Sequence, residues 1–149
     1  RTHGCLTLGS ESVDDRNIIL RRCHAEQVNN LLWLKMRPDT PQRYEYVTVS
    51  GITGTAANGI ACHPWTQFYQ LEDRPDMPLS VCRHITLKDI RMHCTNFFQV
   101  RPSDKYAFSD FSFEDIDVED EAKEIPFSTA VVPGTKVRNV RINGLAVSE

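Results

Sequence analysis

Apolar residues recur along this chain in one short template. The segments Asn17-Ile18-Ile19-Leu20-Arg21-Arg22-Cys23, Tyr46-Val47-Thr48-Val49-Ser50-Gly51-Ile52 and His84-Ile85-Thr86-Leu87-Lys88-Asp89-Ile90 each carry an apolar pair at i and i+2 and a third apolar residue at i+5. Asp110-Phe111-Ser112-Phe113-Glu114-Asp115-Ile116 and Asn139-Val140-Arg141-Ile142-Asn143-Gly144-Leu145 fit the same template. The i, i+2 alternation is that of a half-buried strand, and the break before i+5 suits a turn. Measured between the first apolar residues (Ile18, Val47, Ile85, Phe111, Val140), the spacings by subtraction are 29, 38, 26 and 29.

A second β-rich run follows each template by roughly seven or eight residues. These runs are Leu31–Lys35, Gly59–His63, Phe97–Arg101 and, less regularly, Phe127–Ala130, while Cys5–Gly9 has the same look at the start. The long spacing holds a stretch from Trp65 to Leu79 with Phe68, Tyr69 and Pro64, Pro75 and Pro78 at or near its ends. It reads as an inserted loop, a candidate cleft wall or lid. Two or three short strands per repeat of about 26 to 30 residues, with almost no helical periodicity, predict an all-β chain of stacked parallel coils, a β-solenoid. A sandwich would show turn signals every 8 to 12 residues without this register. About five coils are expected over residues 1–149 as a single unit, a stub roughly 24 Å long at the usual strand spacing.

Composition narrows the picture. With 40% hydrophobic residues the chain can bury a core, and a net charge of −3 with pI near 6.0 gives no global pull toward nucleic acid or anionic membrane. No apolar run reaches the roughly 18 residues of a spanning helix. The chain opens at Arg1 without a leader pattern, so its start looks cut. Five cysteines (Cys5, Cys23, Cys62, Cys82, Cys94) form no CxxC pair and no zinc spacing, and most of them read as small buried hydrophobes. No metal and no cofactor are expected. The acidic run Glu114, Asp115, Asp117, Glu119, Asp120, Glu121 and Glu124 lacks the Gly-centred spacing of a calcium loop and reads as a solvated rim.

Strand alternation supplies candidate chemistry. With Leu32 and Leu34 facing the core, Trp33 and Lys35 face outward; likewise His63 and Arg101 are outward when Ile60, Cys62, Phe98 and Val100 are inward. Stacking then aligns Lys35, His63 and Arg101 in a basic column, set against a negative net charge. Like charges about 5 Å apart repel by on the order of 1 kcal/mol in water, which invites an anionic ligand. The plainer alternative is a solvated ladder paired with its neighbours. Asp14 and Asp15 are expected in a turn, pointing to solvent, and no carboxylate pair is placed for acid–base work.

Two stretches resemble a known family. Thr2-His3-Gly4-Cys5-Leu6-Thr7-Leu8-Gly9-Ser10-Glu11 is similar to the Gly-His-Gly segment, with its Ile-Gly-Ser-Glu-like ending, of the polygalacturonases of glycoside hydrolase family 28. About one coil later, Asn30-Leu31-Leu32-Trp33-Leu34-Lys35 resembles that family's Gly-x-Arg-Ile-Lys segment. The resemblance implies the C-terminal portion of a right-handed parallel β-helix, in a periplasmic or extracellular enzyme that hydrolyses galacturonic-acid linkages in pectin with inversion. It places the catalytic aspartates in coils before the Gly-His-Gly segment and gives His3 a catalytic-site role. Lys35, Trp33, His63 and Arg101 become substrate-binding candidates, and an acidic plant polysaccharide becomes the expected partner, with neither nucleic acid nor membrane. The sequence departs from the family at Thr2, where a glycine is usual, and at Trp33, which stands where the family has an arginine. There an indole offers sugar stacking in place of a salt link. A non-catalytic solenoid binding acidic polysaccharide is the competing reading, with a pectate lyase as a weaker third. Such a stub is also expected to self-associate at a coil edge.

Overall fold

The computed structural model describes residues 2–63, 65, 78–122 and 131–147. The described residues are 75% strand with no helix, in a mostly parallel β-solenoid of about 4 turns. Seven strands follow in sheet order: β1 (Gly4–Gly9), β2 (Asp14–Lys35), β3 (Arg43–Cys62), β4 (Ser80–Val100), β5 (Tyr106–Asp120), β6 (Lys136–Ile142) and β7 (Leu145–Val147). All neighbours pair in parallel except β6 and β7, which are antiparallel.

Strands of 15 to 22 residues are long because each runs through corners without losing its pairing. Single left-handed residues make the corners. Asn17, Tyr46, His84 and Asp110 have φ of 60, 57, 57 and 57°, and Gly134 has 76°. The second corner is Arg22, Gly51, Asp89, Asp115 and Asn139, with φ between 51 and 65°. Left-handed backbone is tolerated by Asn, Asp and Gly, which hold most of these sites. The side chains at the first corner project outward, and the Tyr46 ring stacks on His84 with centroids 4.7 Å apart at 14°.

Register follows the template. Ile18, Val47, Ile85 and Phe111 form one column, Leu20, Val49, Leu87 and Phe113 the next, and Cys23, Ile52, Ile90 and Ile116 the third. Most of these are fully buried, and aromatic rings fill the later coils, where Phe97 and Phe98 meet Phe113 edge-on at 6.2 and 5.9 Å. Pairing is in register on both sides of the long spacing, at Arg43↔Val81 and at Cys62↔Val100, so the insertion is confined between those points. Of the predicted 65–79 loop only Trp65, Pro78 and Leu79 are described, and Phe127–Ala130 also lies outside the described residues.

The last repeat departs from expectation. Val140 pairs with Ile116 and Ile142 with Val118, five positions further along the coil than the template places them. Asn143 and Gly144 are both left-handed and form a two-residue turn into β7, so Leu145 is 67% exposed where the template expects an inward residue. Asn-Gly is the strongest short hairpin signal, and here it ends the repeat instead of continuing it. That accounts for about four turns in place of the five expected. Asn143 also exchanges side-chain hydrogen bonds with the Asp120 backbone, 2.8 Å each way, and ties the hairpin to the coil above.

A ladder of asparagines marks the third bend. Asn30, Asn58 and Asn96 are in register, with Asn58 Nδ2 donating to Asn30 Oδ1 at 2.8 Å and Asn30 Nδ2 to the His3 carbonyl at 3.0 Å. Stacked amides satisfy one another only in a parallel in-register array. One residue past Asn58 stands Gly59, where an added Cβ would lie 2.3 Å from the Phe97 ring. That ring occupies the space a side chain at 59 would need.

Candidate functional site

Beyond the asparagine bend each coil runs straight for five residues, and its outward positions form the candidate site. Leu32 and Leu34 are fully buried, so Trp33 and Lys35 point away from the core. The pairs Gly9↔Lys35, Trp33↔Ala61 and Cys62↔Val100 place Gly9, Lys35, His63 and Arg101 in one column. The expected basic column is therefore the register of the solenoid.

Trp33 corrects the expectation of a free stacking platform. It faces outward but is only 9% exposed. His63 lies against it with centroids 6.3 Å apart at 26°, and Trp65, the first residue of the inserted stretch, meets it edge-on at 5.6 Å and 80°. The Lys35 ammonium stands 5.2 Å from the Trp33 ring centroid and 4.0 Å from that of Trp65. Trp65 is fixed at its backbone, where its N–H donates to the Met36 carbonyl at 3.0 Å. The indole N–H of Trp33 is sealed from solvent and has no hydrogen-bond partner among the described residues.

His3 is not brought to this cluster. It lies exposed just before β1, and Gly9, six residues on, is the partner of Lys35. Six strand residues separate His3 from the Lys35 position by on the order of 20 Å. A single small group does not span that distance.

The electrostatics are uneven along the column. Partial burial, and then the nearby Arg101 guanidinium, hold the His63 imidazole below its ordinary pKa. The Glu11 carboxyl is held below the carboxylate range, first by the Ser10 hydroxyl donating to it at 2.9 Å and further by Lys35 and Arg37. Arg37 itself makes a double hydrogen bond to Asp39 at 2.8 and 2.7 Å. Trp65 and Glu11 are site residues that strand alternation does not find. Their signal in the sequence is slight: Trp65 is one of only two tryptophans, and Glu11 closes the segment that begins at His3.

Other charged positions resolve into structure. Asp14 and Asp15 begin β2 instead of occupying a turn, and Asp14 pairs with Arg16 at 2.7 Å. The acidic strand β5 lies between basic neighbours: Glu114 pairs with Lys88 at 3.5 Å and Arg138 at 2.7 Å, and Asp117 is in register with Arg91 and Arg141. Asp120 is buried and accepts from the Phe97 and Ala122 backbone N–H groups at 2.8 Å each. Among the described residues no group of His, Cys, Asp and Glu side chains is placed to hold a metal ion. Among the described residues no helix is long and apolar enough to cross a membrane.

Compared with protein-family models, curated proteins and solved structures, the chain matches none.

Proposed function

We propose that this chain supplies the acidic-sugar-binding surface of a pectin-degrading, galacturonidase-like hydrolase of the family 28 type. The hydrolytic aspartates would belong to coils outside these 149 residues. The observation that carries the reading is the column Lys35, His63, Arg101 with two indoles at its foot. Cations spaced by the strand repeat match a polymer of regularly spaced carboxylates, and indoles suit the apolar faces of sugar rings. A polymer that follows this column runs across the strands and does not reach His3, so the reading rests on the column without it.

Within the cluster itself the chemistry favours binding over catalysis. A general acid needs a raised pKa, whereas the Glu11 carboxyl, within electrostatic reach of Lys35, is held low. This also keeps the second reading in view, a non-catalytic solenoid that binds acidic polysaccharide. Calorimetric titration of the chain with trigalacturonate and with a neutral galactose trisaccharide tests what both share. Binding of the anionic ligand alone, weakened by added salt, is expected. Equal binding of the two sugars, or none of either, sinks both readings. Hydrolysis by the parent protein, lost on replacing its own aspartates, separates them.

A further inference from the structure

We propose that Asn143-Gly144 is a self-modification site, at which loss of ammonia through a cyclic imide turns Asn143 into aspartate or isoaspartate and loosens the β6–β7 hairpin. An asparagine closes this ring most readily when glycine follows it, because no side chain then hinders the attacking backbone nitrogen. The chain holds two such pairs, Asn58-Gly59 and Asn143-Gly144. With the dipeptide the same, the structure around each decides which reacts.

Asn143 and Gly144 are both exposed, with φ of 53 and 77°, and a Cβ added at Gly144 would meet nothing within 4 Å. What restrains the Asn143 amide is the Asp120 backbone: Oδ1 accepts from its N–H and Nδ2 donates to its carbonyl, each at 2.8 Å. While both bonds hold, the amide carbon is fixed against the neighbouring coil and is not free to swing onto the Gly144 nitrogen. Opening of the hairpin frees it. That opening exposes little apolar surface, since β7 is 3 residues long, Leu145 is already 67% exposed and Ala146 is exposed too.

Asn58 is the counter-case. Its Nδ2 donates to Asn30 Oδ1 at 2.8 Å within the asparagine ladder, and Gly59 is buried against the Phe97 ring. Freeing that amide means parting the ladder and the core beside it, an opening close to that of the whole solenoid.

In the open hairpin the Gly144 nitrogen attacks Asn143 Cγ. The new C–N bond forms as the Cγ–Nδ2 bond breaks, and the proton of the attacking nitrogen leaves with the ammonia. Water then opens the imide, at Cγ to give aspartate or at the main-chain carbonyl to give isoaspartate. Either product fits the closed hairpin worse than asparagine. A carboxylate has no donor for the Asp120 carbonyl and brings a negative charge to a stretch that already holds Glu119, Asp120 and Glu121. Isoaspartate also adds a methylene to the main chain of a two-residue turn.

The folded chain is kept in mildly alkaline buffer and digested, and the mass gain of amide-to-acid exchange is read at each pair, with a parallel sample in urea. In the folded chain Asn143 should react more than about tenfold faster than Asn58. In urea the two should react alike. Equal rates in the folded chain, or no reaction at Asn143 there, overturns the site; a slow Asn58 in urea overturns the structural cause of the choice. Asn143→Asp carries the product's charge without the ring chemistry, and its hydrogen exchange should quicken severalfold along β6 and β7 while Val47 and Val49 keep their protection. Unchanged exchange along β6 and β7 overturns the loosening of the hairpin.

Discussion

The ammonium of Lys35 lies 4.0 Å over the ring of Trp65, so the one lysine of the basic column is held by an aromatic face and not by a carboxylate. A cation stored this way is positioned without being neutralised. Replacing it removes the charge and the indole contact together.

Lys35→Ala is expected to weaken trigalacturonate binding by about 1 to 3 kcal/mol, the range for a hydrogen bond to a charged group, and to leave a neutral trisaccharide unaffected. Calorimetry on both ligands checks it. Equal losses would mean that Lys35 acts by holding Trp65 in place and not by meeting an acid group.

Binding should also depend on His63. Its pKa is lowered in the folded chain, so the imidazole is neutral near pH 7 and gains its proton only as the solution turns acid. Added charge beside the site is worth about 1 kcal/mol at close range, so affinity for an anionic ligand should rise, in the limit roughly fivefold, as pH falls from 7.5 through the lowered pKa of His63. The same depressed pKa has the opposite sign for folding: its contribution is present above the unfolded value of about 6.5 and is lost as pH drops through the folded one. His63→Phe should flatten the binding profile; an unchanged profile would remove His63 from the column.

Gly59→Ala should destabilise the coil by about 1 to 3 kcal/mol, because the new methyl meets the Phe97 ring at 2.3 Å. Urea denaturation measures it. The double change Gly59→Ala with Phe97→Leu should recover part of the loss, whereas simple additivity would place the cost in the backbone instead.

Asn143→Ala should cost about 1 to 3 kcal/mol, since it removes two hydrogen bonds to the Asp120 backbone and a residue suited to left-handed φ. Hydrogen exchange should then quicken first along β6 and β7. Uniform loss of protection would mean that the hairpin unfolds only with the whole solenoid.

The thiols should divide by depth. Burial raises the Cys62 and Cys82 thiols strongly and pushes Cys94 up to about 12, while Cys5 and Cys23 are only half-buried in the first coils. In the native chain an aromatic disulfide reagent should modify Cys5 and Cys23 and spare the other three until denaturant is added.

The repeat of apolar residues by itself determined the parallel solenoid, the inward columns through Ile116, and the alignment of Lys35, His63 and Arg101. Each follows from strand alternation and a coil period, both local properties of the chain. Most of the five cysteines, lacking metal spacing, read as small hydrophobes, and Cys62, Cys82 and Cys94 are in the core. Left-handed corners at Arg22 and Tyr46 were not legible, because neither residue type favours that backbone. The shift of Val140 onto Ile116 depended on whether Asn143-Gly144 turns the chain back, which is a contest between a hairpin and another coil. Most of all, alternation showed that Trp33 faces outward, but not that Trp65 would cover it. Direction along a strand is set by the strand itself, whereas exposure depends on what a residue distant in sequence brings against it, and only the tertiary structure decides that.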